Sequence, residues 1–227
     1  MTASSAPAKP APGRFSARDL ACRRGGRLVF AKLGFEIGPG GALLLRGPNG
    51  SGKSTLLRCL AGLLRPERGA VLWNGAPIGE DPEAHRRRLR YVGHQDGVKP
   101  QLSVLENLCF GAALAGQARP HAAAALEAFG IGRLADLPAR YLSAGQRRRL
   151  ALARLVAAPA PLWLLDEPLA GLDDAAAGLF AAAVAAHRRS GGLVALSVHG
   201  ELAVPDVQLL ELGGFAAPGA GLGLAAS

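Results

Sequence analysis

Cysteine is scarce in this 227-residue sequence: Cys22, Cys59 and Cys109 form no C-x-x-C pair and leave an odd count. A disulfide framework or a zinc site is therefore excluded as an organising feature, and a reducing cytosol is the expected setting. Long apolar runs are missing as well. No stretch offers the roughly 18 consecutive apolar residues that a membrane-spanning helix requires, and the longest uncharged stretch, 212–227, is rich in Gly and Ala. Any membrane attachment would have to pass through a partner. The first 16 residues are rich in Ala, Pro and Ser, lack the apolar core of a secretory signal, and read as a disordered leader. Acidic residues are outnumbered, 17 against 26 Lys plus Arg, for a net charge of +9. That balance suits an anionic partner, whether a nucleotide, a nucleic acid or a membrane leaflet, and charge alone does not choose among them.

Against these absences stands one complete motif. Gly47 to Thr55 reads GPNGSGKST and fits G-x-x-x-x-G-K-[ST], with Gly47, Gly52, Lys53 and Ser54 at the required positions. The apolar run Ala42 to Leu45 before it reads as a buried strand, and Thr55 to Leu63 after it reads as a helix with one buried face. The chemistry needs that context: the loop of Gly47, Pro48, Asn49, Gly50, Ser51 and Gly52 must turn its N–H groups, which every residue but Pro48 carries, toward anionic oxygens at a helix N-terminus. Lys53 would then reach the β- and γ-phosphates, and the Ser54 hydroxyl, next to Thr55, would ligate Mg²⁺. A nucleoside triphosphate is the expected ligand.

Along the chain, short strand patterns surround this loop. Asp19 to Cys22 and Leu28 to Phe30 flank the turn signal Arg24-Gly25-Gly26-Arg27, and Leu33 to Ile37 alternates as a half-buried strand does. Ala70 to Trp73 and Tyr91 to Gly93 read as further strands. Between them, His85 to Arg90 is a basic run, open to three readings: a nucleic-acid patch, a solvated helix face or a partner-docking surface. Residues 98–157 carry helix formers, with a capping box at Ser103 and Glu106, a helix over His121 to Phe129 ended by Gly130, and a helix capped by Ser143 and running through Val156. Leu162 to Leu165 and Leu193 to Val198 read as buried strands, with a helix between them capped by Asp173 or Asp174 and running to His187. From Gly213 the tail is of low complexity. The alternation predicts an α/β fold with a mostly parallel sheet, an antiparallel β portion near the N-terminus and an inserted helical portion.

Four further features follow the loop in order. Asp166 and Glu167 end the apolar run Leu162 to Leu165 and precede Pro168; Asp166 is placed to hold Mg²⁺, and a second carboxylate beside it can polarise an attacking water. Leu142-Ser143-Ala144-Gly145-Gln146 precedes Arg147-Arg148-Arg149 and lies 23 residues before Asp166 (166 − 143). This stretch resembles the signature of ATP-binding-cassette ATPases, with Ala144 where that family usually has Gly. The resemblance covers about residues 17–212 and implies a P-loop NTPase core. It implies that Ser143, Ala144, Gly145 and Gln146 complete the ATP site of a second subunit in a head-to-tail homodimer. It also assigns Gln95 to Mg²⁺ and the attacking water, His199 to the γ-phosphate, and Gly171-Leu172-Asp173 to the loop linking the two sites. The family's adenine-stacking aromatic would fall near Arg24, where the chain reads CRRGGR.

Tyr91 to Lys99 (YVGHQDGVK) and Leu102 to Leu108 (LSVLENL) resemble more narrowly the ATPase subunits of cytochrome c maturation systems, associated with haem export or release of a haem-loaded chaperone. That likeness implies integral-membrane partners at the cytoplasmic face of a bacterial inner membrane. His94, adjoining Gln95, is read as a neighbour of the nucleotide site; neither direct haem binding nor nucleic-acid binding is expected. Two alternatives stay open: a cassette ATPase of another exporter or importer, and a soluble ATPase linked to nucleic acid or ribosomes. Members of the last kind commonly carry two cassettes or a long coiled-coil insertion, and this chain has neither.

Overall fold

The buried strands alternate between two cores. In the computed structural model, which describes residues 13–114, 119–198 and 205–215, β3 (Ala42–Arg46), β7 (Leu162–Asp166) and β8 (Leu193–Ser197) lie within one parallel sheet. Leu43, Leu45, Leu162, Leu164, Leu193 and Ala195 point into one apolar cluster; Ala42, Leu44, Trp163, Leu165, Val194 and Leu196 point into the other. A strand covered on both faces has no polar side, which is why these segments read as unbroken apolar runs. With β6 (Leu89–Val92) and β9 (Val207–Glu211), the sheet has the order β6-β7-β8-β3-β9, all pairs parallel.

A second sheet is antiparallel, β2-β1-β4-β5, from β1 (Phe15–Arg24), β2 (Arg27–Ile37), β4 (Arg68–Trp73) and the two-residue β5 (Ala76–Pro77). The hairpin between β1 and β2 turns at Gly25 and Gly26, both with positive φ. Helix α1 (Lys53–Leu60) lies between the two sheets, contributing Leu56, Leu57 and Leu60 to their shared core. Helix α2 (Pro82–Arg88) leads into β6; α3 (Val104–Leu114), α4 (Arg119–Ala128) and α5 (Ala144–Ala157) pack together on the other face, and α6 (Asp174–Arg189) joins that core through Phe180 and Val184. The expected α/β architecture is therefore present, antiparallel portion and helical insertion included.

Several expectations are corrected. Phe15 and Ser16, assigned to the leader, belong to β1; Phe15 is fully buried against Phe35, Trp73 and His85, so the strand starts where the first large apolar side chain can be covered. The helix after the phosphate loop stops at Leu60 rather than Leu63, because Gly62 adopts φ 71° and lets the Leu63 N–H bond back to the Arg58 carbonyl. Neither solvated-face nor patch readings fit all of the basic run: His85 is buried, its Nε2 2.9 Å from the Leu60 carbonyl, and Arg90 donates to the Ala158 and Leu89 carbonyls. Only Arg86 and Arg87 of the run are exposed. Strand β9 went unread, since its pattern of exposure at an edge gives no clean alternation. Residues 1–12 and 216–227, hence most of the leader and the tail, lie outside the described residues.

Candidate nucleotide site

Parallel strands end together, and here their carboxyl ends carry the candidate residues. β3 runs into the loop of Gly47 to Gly52, β7 ends at Asp166, β8 at Ser197, and β6 leads to Gly93 and Gln95. Strand order puts these four ends side by side along one edge of the sheet, where open α/β sheets bind ligands.

The loop is shaped by backbone conformation. Gly47, Gly50 and Gly52 have φ of 143°, 79° and 102°, a region that only glycine occupies without strain. A Cβ on Gly52 would overlap Val29, and one on Gly47 would stand 2.7 Å from the Ser51 hydroxyl. Helix α1 begins with Gly52 as N-cap, with no side-chain cap and no acidic residue in its first turn, so its N–H groups keep their capacity for an anion. The buried Lys53 curls over the loop and donates to the carbonyls of Gly47 (2.7 Å) and Pro48 (3.1 Å). Pro48, Asn49 and Gly50 are exposed; Ser54 is half-buried and Thr55 buried. The buried Ser51 Oγ finds no hydrogen-bond partner among the described residues, a donor that a phosphate oxygen would satisfy.

Asp166 is 2% exposed, and its Oδ1 accepts from Ser197 Oγ at 2.7 Å. The same hydroxyl accepts from the Glu167 N–H at 3.0 Å, so one serine fixes both acids. Glu167 itself sits at φ 50°, a left-handed conformation that is costly for a side chain of this kind and that clusters at functional positions. Tyr91, one strand over, has its phenol pKa raised by burial and then by the negative field of Asp166. Behind β7, Trp163 stacks on His187 at 3.9 Å, and burial pushes the His187 pKa down to about 4.

Gln95 and His94 are exposed in the loop after β6. Two arginines of α5 grip that loop: Arg154 donates to the Asp96 and Gly97 carbonyls, both at 2.8 Å, and the buried Arg148 donates to the Gly93 carbonyl and Asp96 Oδ1. Arg148 and Ser197 were not singled out in the sequence. Ser197 left a trace as the one polar side chain in a buried run; Arg148 left none among three consecutive arginines.

Ser143 and Gln146 cap α5 reciprocally: the Ser143 hydroxyl accepts from the Gln146 N–H at 3.2 Å, and Gln146 Oε1 accepts from the Ser143 N–H at 2.9 Å. Ser143 and Ala144 are exposed, and a Cβ on Gly145 would stand 3.0 Å from the Gly171 carbonyl, so this helix start packs on the Gly171 to Asp173 loop. Asp173, not Asp174, caps α6, accepting from the Ala176 N–H at 2.8 Å. No hydrogen bond among the described residues joins Ser143 to Gln146 with the phosphate loop. His199 lies outside the described residues. No helix among the described residues is long and apolar enough to cross a membrane.

Known proteins resemble this chain in sequence and in fold. Residues 30–170 match the family model described as ABC transporter. The chain is 56% identical over 209 residues to the "Cytochrome c biogenesis ATP-binding export protein CcmA" of Paramagnetospirillum magneticum, covering 89% of this chain and 95% of that protein. It is 53% identical over 206 residues to the protein of the same description from Rhodospirillum rubrum, covering 91% and 88%. Among solved structures it resembles a putative ABC transporter ATP-binding protein of Pyrococcus furiosus, with a TM-score of 0.79, 26% identity, and 90% and 100% of the two chains covered.

Proposed function

The chain belongs to the ABC transporter family, and from that premise we propose that it is the ATP-hydrolysing subunit of an exporter complex in c-type cytochrome biogenesis. The work it powers is haem export or release of a haem-loaded chaperone. The observation that carries the ATPase reading is the convergence of the phosphate loop, Asp166, Glu167 and the Gln95 loop at adjacent strand ends. The relatives described as CcmA, similar over nearly their whole length, support the cytochrome c branch.

ATP is the substrate. The N–H groups from Gly47 to Thr55 and the Lys53 ammonium hold its β- and γ-phosphates. The donor set suits Mg²⁺: a buried carboxylate, Asp166, and a hydroxyl, Ser54, are hard oxygen ligands, with Gln95 completing the set. Held by these residues, Mg²⁺ would supply positive charge against the phosphates.

Glu167 is the general base. Its carboxylate takes a proton as a water oxygen bonds to the γ-phosphorus; the bond from that phosphorus to the bridging oxygen breaks, and the electron pair leaves with ADP. Gln95 orients the water and His199 meets the γ-phosphate. Ser143 to Gln146 of a second copy close the site, so two chains form a homodimer around two nucleotides. Integral-membrane partners hold that dimer at the cytoplasmic face of the inner membrane.

Glu167→Gln keeps the side chain's shape and removes the base. It is expected to bind ATP with near-wild-type affinity, to accumulate as a dimer on gel filtration, and to lose about 10²–10⁴ in turnover, the usual share of general-base catalysis. Wild-type phosphate release from this variant would place water activation elsewhere. For the branch, the chain should co-purify with a small polytopic membrane protein, and cells lacking it should lose covalently haem-bearing cytochrome c. Normal cytochrome c in such cells would transfer the chain to another exporter.

A further inference from the structure

Arg148 has five N–H donors, and all five are committed. Nη2 donates to the carbonyls of Asp166 (2.8 Å) and Glu167 (2.7 Å), Nε to that of Pro168 (3.2 Å), and Nη1 to the Gly93 carbonyl (3.0 Å) and Asp96 Oδ1 (3.1 Å). The side chain is 5% exposed. Three of these acceptors are consecutive carbonyls of the acidic turn, and the other two bracket Gln95. A single guanidinium thus ties the turn that aims Glu167 to the loop that carries Gln95, from the helix whose start, Ser143 to Gln146, is exposed or half-buried.

Glu167 needs such a tie. Its φ of 50° is a conformation the chain adopts only when its surroundings over-determine it. Ser197 holds the Glu167 N–H from one side, and Arg148 holds the carbonyls of residues 166, 167 and 168 from the other. Neither a lysine nor a glutamine could replace the fork, since an ammonium offers three donors at one point and an amide two.

We propose that Arg148 is a positioning residue for hydrolysis: it holds Glu167 in its left-handed conformation and sets the Gln95 loop against it. It acts through Glu167 and touches no substrate, so its loss slows turnover without weakening nucleotide binding. The inference rests on Glu167 being the base.

The test measures turnover and nucleotide affinity in Arg148→Lys and Arg148→Gln, alone and combined with Glu167→Gln. Arg148→Lys keeps a cation beside Asp96 and carries the test should Arg148→Gln fail to fold. Turnover in either single variant should fall about a hundredfold, the scale of a misplaced catalytic group, while nucleotide affinity stays within about threefold. In the Glu167→Gln background, Arg148→Lys should cost less than about threefold more, because a residue acting through a base loses its effect when the base is gone. A role confined to folding would instead lower the melting temperature equally in both backgrounds and leave turnover per folded molecule intact. Arg148→Lys turning over like wild type, or losses that multiply in the double variant, would overturn the positioning role while leaving Glu167 as the base. Wild-type turnover in Glu167→Gln alone would remove the base and this inference together.

Discussion

Helix α1 begins at Gly52, at φ 102°, with no side chain capping it; helix α5 begins at Ser143, whose hydroxyl and the Gln146 amide cap each other's N–H. Both starts are assigned to phosphate, and they are built in opposite ways. The α1 start is enclosed by its own fold: Val29 stands where a Cβ would go, Lys53 is buried beside it, and the helix is sandwiched between two sheets. No side chain among the described residues caps its first N–H groups, so an anion can complete them. The α5 start is exposed and already satisfied at two positions. It keeps its shape without a ligand and offers what remains: the hydroxyl proton and the first free N–H groups. The first terminus is built to hold a nucleotide; the second is the one that, in the proposed dimer, meets a nucleotide held by another copy.

Removing the cation from the uncapped terminus should have the largest effect. Lys53→Ala takes away two or more charge-assisted bonds to phosphate, each worth about 1.5–3 kcal/mol, so nucleotide affinity should drop at least about a hundredfold and turnover should vanish. Titration with a fluorescent nucleotide measures the first and phosphate release the second. Unchanged affinity would mean that the loop's backbone suffices and that Lys53 serves the loop's own carbonyls, to which it donates.

Blocking the capped terminus should dissociate the two functions. Ser143→Arg puts a long side chain on an exposed surface, so the isolated chain should still bind nucleotide within about threefold of wild type, while turnover falls about a hundredfold, the scale of losing one oriented donor from a charged transition state. Full turnover in this variant would mean that the α5 start meets no phosphate, and each chain would then hydrolyse ATP alone.

The two termini also differ in how much the sequence disclosed. The α1 site was legible because its parts are contiguous: apolar strand, glycines, Lys53 and Ser54 follow one another between Ala42 and Thr55. The α5 cap was legible in part: Ser143 stands just before the helical run, while Gln146 went unread as its reciprocal partner. What stayed hidden is long-range. Ser197 reaches Asp166 from the neighbouring strand, 31 residues on, Arg148 reaches Gly93 across 55 residues, and His85 is buried by Phe15 from a segment read as leader. No local pattern marks which of Arg147, Arg148 and Arg149 turns inward; only packing of α5 on the strand ends decides it. Parallel strand order is likewise a tertiary fact, and β9 depends on β3 for its hydrogen bonds.

The smallest change sharpens the comparison most. Ser143→Ala deletes the hydroxyl that caps α5 and, in the proposed dimer, the one that meets phosphate. The cap alone should cost about 1 kcal/mol of stability, a drop of about 2–4 °C in melting temperature for a domain of this size. A hydroxyl has one donor and two acceptor sites, so Ser143 can accept from the Gln146 N–H and donate to a phosphate oxygen at once; the two roles do not compete. Ser143→Ala should therefore lower both the melting temperature and the turnover, whereas Ser143→Thr, which retains the hydroxyl, should restore both. A drop in melting temperature with turnover per folded molecule unchanged would reduce Ser143 to a helix cap and leave the backbone N–H groups of Ala144 and Gly145 as the only donors this terminus brings to its partner.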